Sequence, residues 1–188
     1  MTAEQREDKS LMEEIEKWKP LVQERGEFLE IAFFKIFVKF ERLILDLIIQ
    51  YSTGQHSSEE YLPERRLEFE DFEHLKNTIT DKKHIDISNR MDKLVTQIFR
   101  DNNPFSFFFN SEDRDFYNRM KYLRNYIAHE SPESRNAYKK NVLFNQEYIS
   151  PSTFLAKRHS RENPASNYTI FIDLVQKYSN SFLKNPNE

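Results

Sequence analysis

Arg124, Asn125 and His129 lie within six residues of one another, in the run Arg124-Asn125-Tyr126-Ile127-Ala128-His129, which Glu130, Ser131 and Pro132 close. An obligate cation, a hydrogen-bonding amide and an imidazole that titrates near neutrality can together grip a phosphate and move a proton beside it. No other stretch of the 188 residues concentrates as much chemistry. Arginine followed by histidine is weak by itself, because 13 arginines and 5 histidines give about one such match by chance. The asparagine directly after the arginine, and the place near the end of an amphipathic pattern, sharpen the signal.

The pattern from Asp113 predicts a helix with Phe116, Met120, Leu123 and Ile127 as its buried stripe. On that helix Asn118, Tyr122, Asn125 and His129 share a second stripe, at steps of four, three and four. Arg124 and His129, five apart, fall about 140° apart around the axis. They cannot converge on one phosphate from an unbroken helix of one chain. Either the helix loosens at His129, or a second subunit brings arginine and histidine together. If the motif is catalytic, a dimer with a composite cleft follows.

Other elements must hold this helix. Residues 1–10 read as a disordered lead-in, and Leu11 to Val22 as a short amphipathic segment limited by Pro20. The strongest helix spans Glu27 to Tyr51, with Lys35, Lys39, Arg42, Asp46 and Gln50 as its solvated stripe. Glu41 falls on the apolar side, among Phe34, Phe37, Leu45 and Ile48, where a carboxylate needs a partner. That partner is either a helix-packing salt bridge or a cation of the site. Ser52 to Pro63 is a polar loop. Helices are expected at about Glu64–Thr80, with Leu67, Phe69, Phe72, Leu75 and Ile79 inward, and at Asp86–Arg100, stopped by Asn102-Asn103-Pro104. Phe105 to Phe109 reads as an apolar connector over the core. Ser131-Pro132 starts a helix running to about Asn145. Residues 146–167 are a long irregular connection, and Asn167 caps a last helix through Leu183. The fold class is all-α, an up-and-down bundle in one domain, residues 1–188, with an extra C-terminal helix.

Composition narrows the chemistry. With no cysteine, a disulfide scaffold, Cys-ligated zinc, iron–sulfur clusters and thiol catalysis are excluded. Two glycines, Gly26 and Gly54, cannot build a Walker loop or a dinucleotide fingerprint. His56, His74, His84 and His159 have no metal-ligand spacing, so no metal and no cofactor is expected. The net charge of −3 means that any RNA contact must come from a local patch. A polar N-terminus without a signal peptide and charges within the longest apolar helix point to a cytoplasmic protein with no membrane span.

Leu123-Arg124-Asn125-Tyr126-Ile127-Ala128-His129-Glu130 resembles the signature of the HEPN superfamily, in which arginine, a polar residue and then histidine stand late in a helical bundle. Phe40-Glu41-Arg42-Leu43 is similar to part of that family's early core helix. The likeness is sharp over about eight residues and architectural over the rest. It implies metal-independent RNA cleavage by a homodimer acting as a toxin or anti-phage defence effector, with an antitoxin protein as a possible partner. Carried over, Arg124 would bind the scissile phosphate and stabilise the phosphorane. His129 would be general base or acid at the ribose 2′-hydroxyl, and Asn125 would hold the histidine or the phosphate. Glu41, Tyr122 and Asn118 would support, with Asp46 a weaker acidic candidate on the solvated stripe. Lys121, Lys157, Arg158 and Arg161 are RNA-backbone candidates. The alternative is a non-catalytic HEPN module that dimerises and binds nucleotides, RNA or an antitoxin. A plain helical adaptor is the third reading: there His129 only completes a helix end, where the dipole favours a cation, and Arg124 forms a surface ion pair.

Overall fold

A computed structural model describes residues 6–79, 87–158 and 164–186. The chain is all-α: nine helices and no strand stand among the described residues. They are α1 (Lys9–Glu24), α2 (Leu29–Ser52), α3 (Phe72–Ile79), α4 (Ile87–Ile98), α5 (Pro104–Phe109), α6 (Asp113–His129), α7 (Pro132–Asn141), α8 (Pro151–Ala156) and α9 (Asn167–Ser181). A 3-10 turn, Gly26–Phe28, leads into α2. None of the described helices is long and apolar enough to cross a membrane. The residues group into two compact units, one of 1–10, 40–111 and 177–188, the other of 11–39 and 112–176. Helices α2 and α9 supply residues to both.

In the first unit the core is aromatic. Phe40, Phe105 and Phe108 are fully buried and meet the fully buried Phe182. Tyr51, equally buried, donates its hydroxyl to the Phe182 carbonyl at 2.7 Å, and Ser57 donates to the Leu183 carbonyl at 2.7 Å. Two side-chain hydroxyls thus satisfy carbonyls just past the end of α9, where no further helical turn can. The lead-in does not fray as the sequence suggests. From Glu7 onward it is anchored, because the Glu7 carboxylate accepts from the Ser58 amide, the Ser58 hydroxyl and Gln50, and Asp8 is buried. Residues 1–5 lie outside the described set.

Three further expectations are corrected. The helix expected from Glu64 begins only at Phe72. Before it, the amides of Arg66 and Leu67 donate to the Ile98 carbonyl and that of Arg100 to Glu64, so an extended segment answers the orphan carbonyl ending α4. Leu67 and Phe72 are exposed there, while Phe69 and Leu75 are buried; the Ile79 side chain is outside the described set. The apolar connector is the helix α5, capped by Asn103, whose side chain accepts from the Ser106 amide, with Pro104 at its first position. Phe105 and Phe108 then fall inward and Phe107 outward. Within the 146–167 connection stands α8, started by the same device: Ser150 accepts from the Thr153 amide and Pro151 follows. Glu30 of α2 also accepts from the Ser152 amide at 2.8 Å, a carboxylate at a helix N-terminus.

In the second unit, Leu11, Ile15 and Trp18 of α1, Phe33, Ile36 and Phe37 of α2, and Phe171 and Val175 of α9 are buried. At α9 the cap is Ser166, which accepts from the Thr169 amide. Asn167 instead turns inward and donates to the Phe154 carbonyl.

Replacing Tyr51 by phenylalanine leaves the buried Phe182 carbonyl without its donor. The expected loss is about 1–3 kcal/mol, read as a lowered urea midpoint at unchanged slope.

Candidate functional site

The motif lies on α6, which starts with Asp113 and Asp115 in its first turn and ends with His129, a charge order that suits the helix dipole. Its buried residues are Tyr117, Met120 and Leu123; Phe116 and Ile127, expected inward, are half-exposed. The stripe is turned toward Tyr117 because that ring stacks on Phe37 of α2 at 5.4 Å and 9°. The helix runs unbroken through His129, and Glu130 closes it in the left-handed region (φ 47°). Of the two alternatives for Arg124 and His129, the loosened helix is therefore absent. Their separation of about 140° stands in one protomer.

Arg124 and Asn125 are brought together: Arg124 Nη1 donates to Asn125 Oδ1 at 2.8 Å. The Arg124 guanidinium also lies over the Phe37 ring, 5.3 Å from its centre. Phe37 is fully buried and stacks on Phe171 as well as Tyr117. The arginine is half-buried with its Nε shielded from solvent, which is not the setting of a loose surface ion pair. His129 is exposed, as is Tyr122; Asn118, Asn125 and Lys121 are half-buried. The stripe of Asn118, Tyr122, Asn125 and His129 is thus the solvent side of α6.

Glu41 belongs to the other unit, where it is half-buried on α2 with Oε1 shielded from solvent. Asp46 is exposed and pairs with Arg42 at 3.5 Å, an ordinary solvated i, i+4 pair. Lys157 and Arg158 are exposed at the end of α8, where Arg158 bridges to Ser166 and the Asn167 amide donates to the Lys157 carbonyl. Arg161, His84 and His159 lie outside the described residues.

Around the motif the structure adds groups that the sequence reading passed over. Helix α7 packs on α6, capped by Ser131 with Pro132 at its first position, as expected. It ends at Asn141 rather than near Asn145, because Phe144 and Asn145 take left-handed backbone (φ 52° and 60°). Tyr126 of the motif stacks on Tyr138 of α7 at 5.1 Å, and its hydroxyl meets that of Tyr148 at 3.2 Å. Arg135 covers the Tyr148 ring at 4.8 Å. Burial pushes the Tyr138 phenol well above its ordinary range, and the hydrogen bond to Tyr126 raises that of Tyr148. On α6 itself, Arg119 sits between the rings of Phe144 (5.1 Å) and Phe154 (5.8 Å). Desolvation lowers its pKa. No local sequence signal joins residues 119, 144 and 154.

No protein-family model matches the chain, and no curated protein or solved structure matches it either.

Phe37→Leu removes the ring beneath Arg124 and between Tyr117 and Phe171. It should cost about 1–3 kcal/mol in urea unfolding, from lost ring contacts and a partly filled cavity. The phenols give a pH signature. Their folded values are raised, so their stabilisation is complete below about 10, the unfolded value, and is lost as pH climbs toward the folded ones. Alkaline unfolding monitored by phenolate absorbance should show this loss, and Tyr138→Phe should remove part of the slope.

Proposed function

We propose that the protein is a metal-independent endoribonuclease of the HEPN type, acting as a homodimer whose cleft takes groups from both subunits. The observation that carries this reading is the Arg124–Asn125 pair, fixed at 2.8 Å on a helix that continues unbroken to an exposed His129. A seated cation and a solvent-facing imidazole suit a polyanionic substrate that arrives from outside. From Phe116 to Arg158, eight Lys and Arg face three Asp and Glu in a chain of net charge −3. The segment is thus locally basic, in keeping with the RNA contact proposed.

In the reaction the ribose 2′-oxygen attacks the adjacent phosphorus, the bond from phosphorus to the 5′-oxygen breaks, and a 2′,3′-cyclic phosphate and a 5′-hydroxyl result. His129 accepts the 2′-hydroxyl proton, or supplies one to the leaving 5′-oxygen. Arg124 stabilises the charge that builds on the phosphorane oxygens. Asn125, bonded to Arg124, orients the guanidinium. A cytoplasmic toxin or defence effector held in check by an antitoxin is the matching biological role. The 140° between Arg124 and His129 in one protomer favours a second reading if the protein proves monomeric: a non-cleaving HEPN module that binds nucleotides or RNA.

The test is cleavage of a mixed tRNA and mRNA pool in EDTA. Wild type should cut, and His129→Ala and Arg124→Ala should each lose at least about a hundredfold. Mixing the two inactive variants and letting subunits exchange should restore about a quarter of wild-type activity, since half the dimers then hold one intact site. Cleavage that survives His129→Ala, or no activity in a folded wild-type dimer, would reject the nuclease reading. Failure of the mixture to recover would reject the composite site alone.

A further inference from the structure

Arg119 is an unusual cation. Its guanidinium is half-buried, its Nε is shielded from solvent, and among the described residues it has no carboxylate or hydrogen-bond partner. It is held by two aromatic faces, Phe154 below, which is buried, and Phe144, which is 61% exposed. A partly desolvated charge with no counterion gains from an anion that approaches it.

Phe144 is unusual in its own way. It is the most exposed of the large hydrophobic residues described, and its backbone is left-handed, with Asn145 following in the same region. A bulky residue without glycine's freedom seldom takes that backbone. Among the described positive-φ residues outside glycine, Phe144 is the one with a large apolar side chain, and such outliers cluster at ligand sites. On α6, Tyr122 is 39% exposed, about 60° around the axis from Arg119 and on the same line as His129. Arg119 is itself about 80° from His129, closer around the helix than Arg124 is. Exposed Lys139 and Lys140 follow on α7, and the Asn145 amide donates to the Lys139 carbonyl, which ties the Phe144 turn to that helix. Lys157 stands three residues past Phe154.

We infer that Arg119 and Phe144 form a nucleotide subsite beside the motif, with a base of single-stranded RNA stacked on Phe144 and an adjoining phosphate drawn to Arg119. The inference rests on the RNA reading above but not on cleavage. The occupant is chosen on charge: a ring exposed for a protein partner would not need an unpaired guanidinium beneath it, whereas stacking plus cation is the usual grip on an unpaired strand. A duplex, whose bases are already stacked, offers this site nothing but phosphate.

Binding is measured by fluorescence anisotropy on the cleavage-deficient His129→Ala protein, with a labelled single-stranded oligouridylate of about twelve nucleotides and a duplex RNA of equal length. The single strand should bind, more weakly as salt rises. Phe144→Asn keeps a residue that tolerates the left-handed backbone and should weaken binding roughly 5- to 100-fold. Phe144→Trp should restore it. Arg119→Met should weaken binding and flatten the salt dependence. Duplex binding should be insensitive to Phe144. Unchanged single-strand affinity in Phe144→Asn and Arg119→Met proteins of native circular dichroism would overturn the inference, as would no binding by the parent. Phe144-dependent binding without cleavage by wild type would sink the nuclease reading and leave the subsite standing. Cleavage with an unchanged KM in Phe144→Asn would do the reverse.

Discussion

A guanidinium on the half-buried shoulder of a helix must be held by something, and on α6 aromatic faces do it. Arg124 lies over Phe37 and Arg119 between Phe144 and Phe154. A ring takes the flat face of a guanidinium and leaves its edge, with the N–H donors, directed elsewhere. For Arg124 one donor goes to Asn125. The 17 phenylalanines and 9 tyrosines therefore do more than fill a core. The stack of Tyr117, Phe37 and Phe171 supports the ring beneath the motif's cation and turns the buried stripe of α6 toward Tyr117.

Where periodicity extends over several turns, the sequence reveals the helix. The 24 residues of α2 and the 17 of α6 were legible with ends close to those observed, and so was the start of α7 at Ser131-Pro132. The six-residue helices α5 and α8 were not, because a turn and a half carries too little pattern to separate from a connector. Their capping signals, Asn103-Pro104 and Ser150-Pro151, were nevertheless written in the chain. Residues 64–71 look helical by apolar spacing, but the amides of Arg66 and Leu67 donate to the Ile98 carbonyl at the end of α4 and that of Phe69 to the Ser52 carbonyl at the end of α2, tertiary competitors that no local window contains. The anchoring of Glu7 by Ser58 is the same kind of case.

At the site, what was adjacent in sequence was readable. Arg124 and Asn125 interact as neighbours, and the exposed stripe ending in His129 follows from helix geometry alone. The Arg119 seat was not readable, because its two rings lie 25 and 35 residues further along and meet the arginine only through the turn after α7 and through α8. In the left-handed pair Phe144-Asn145 the asparagine is a turn signal, but nothing in the composition announces that the phenylalanine before it takes the same backbone. The roles of Glu41 and Lys121 also depend on surroundings that helix spacing cannot specify.

The register of α6 then constrains any chemistry on it. Because the helix is unbroken to His129, a single protomer presents its arginine and histidine on different sides. A twofold axis running beside α6 would bring the same two sides of a second copy into opposition, so that the arginine side of one faces the histidine side of the other. Under the proposed function, that opposition is what would supply an arginine and a histidine to one phosphate, a demand that the unbroken register of α6 makes of any such chemistry.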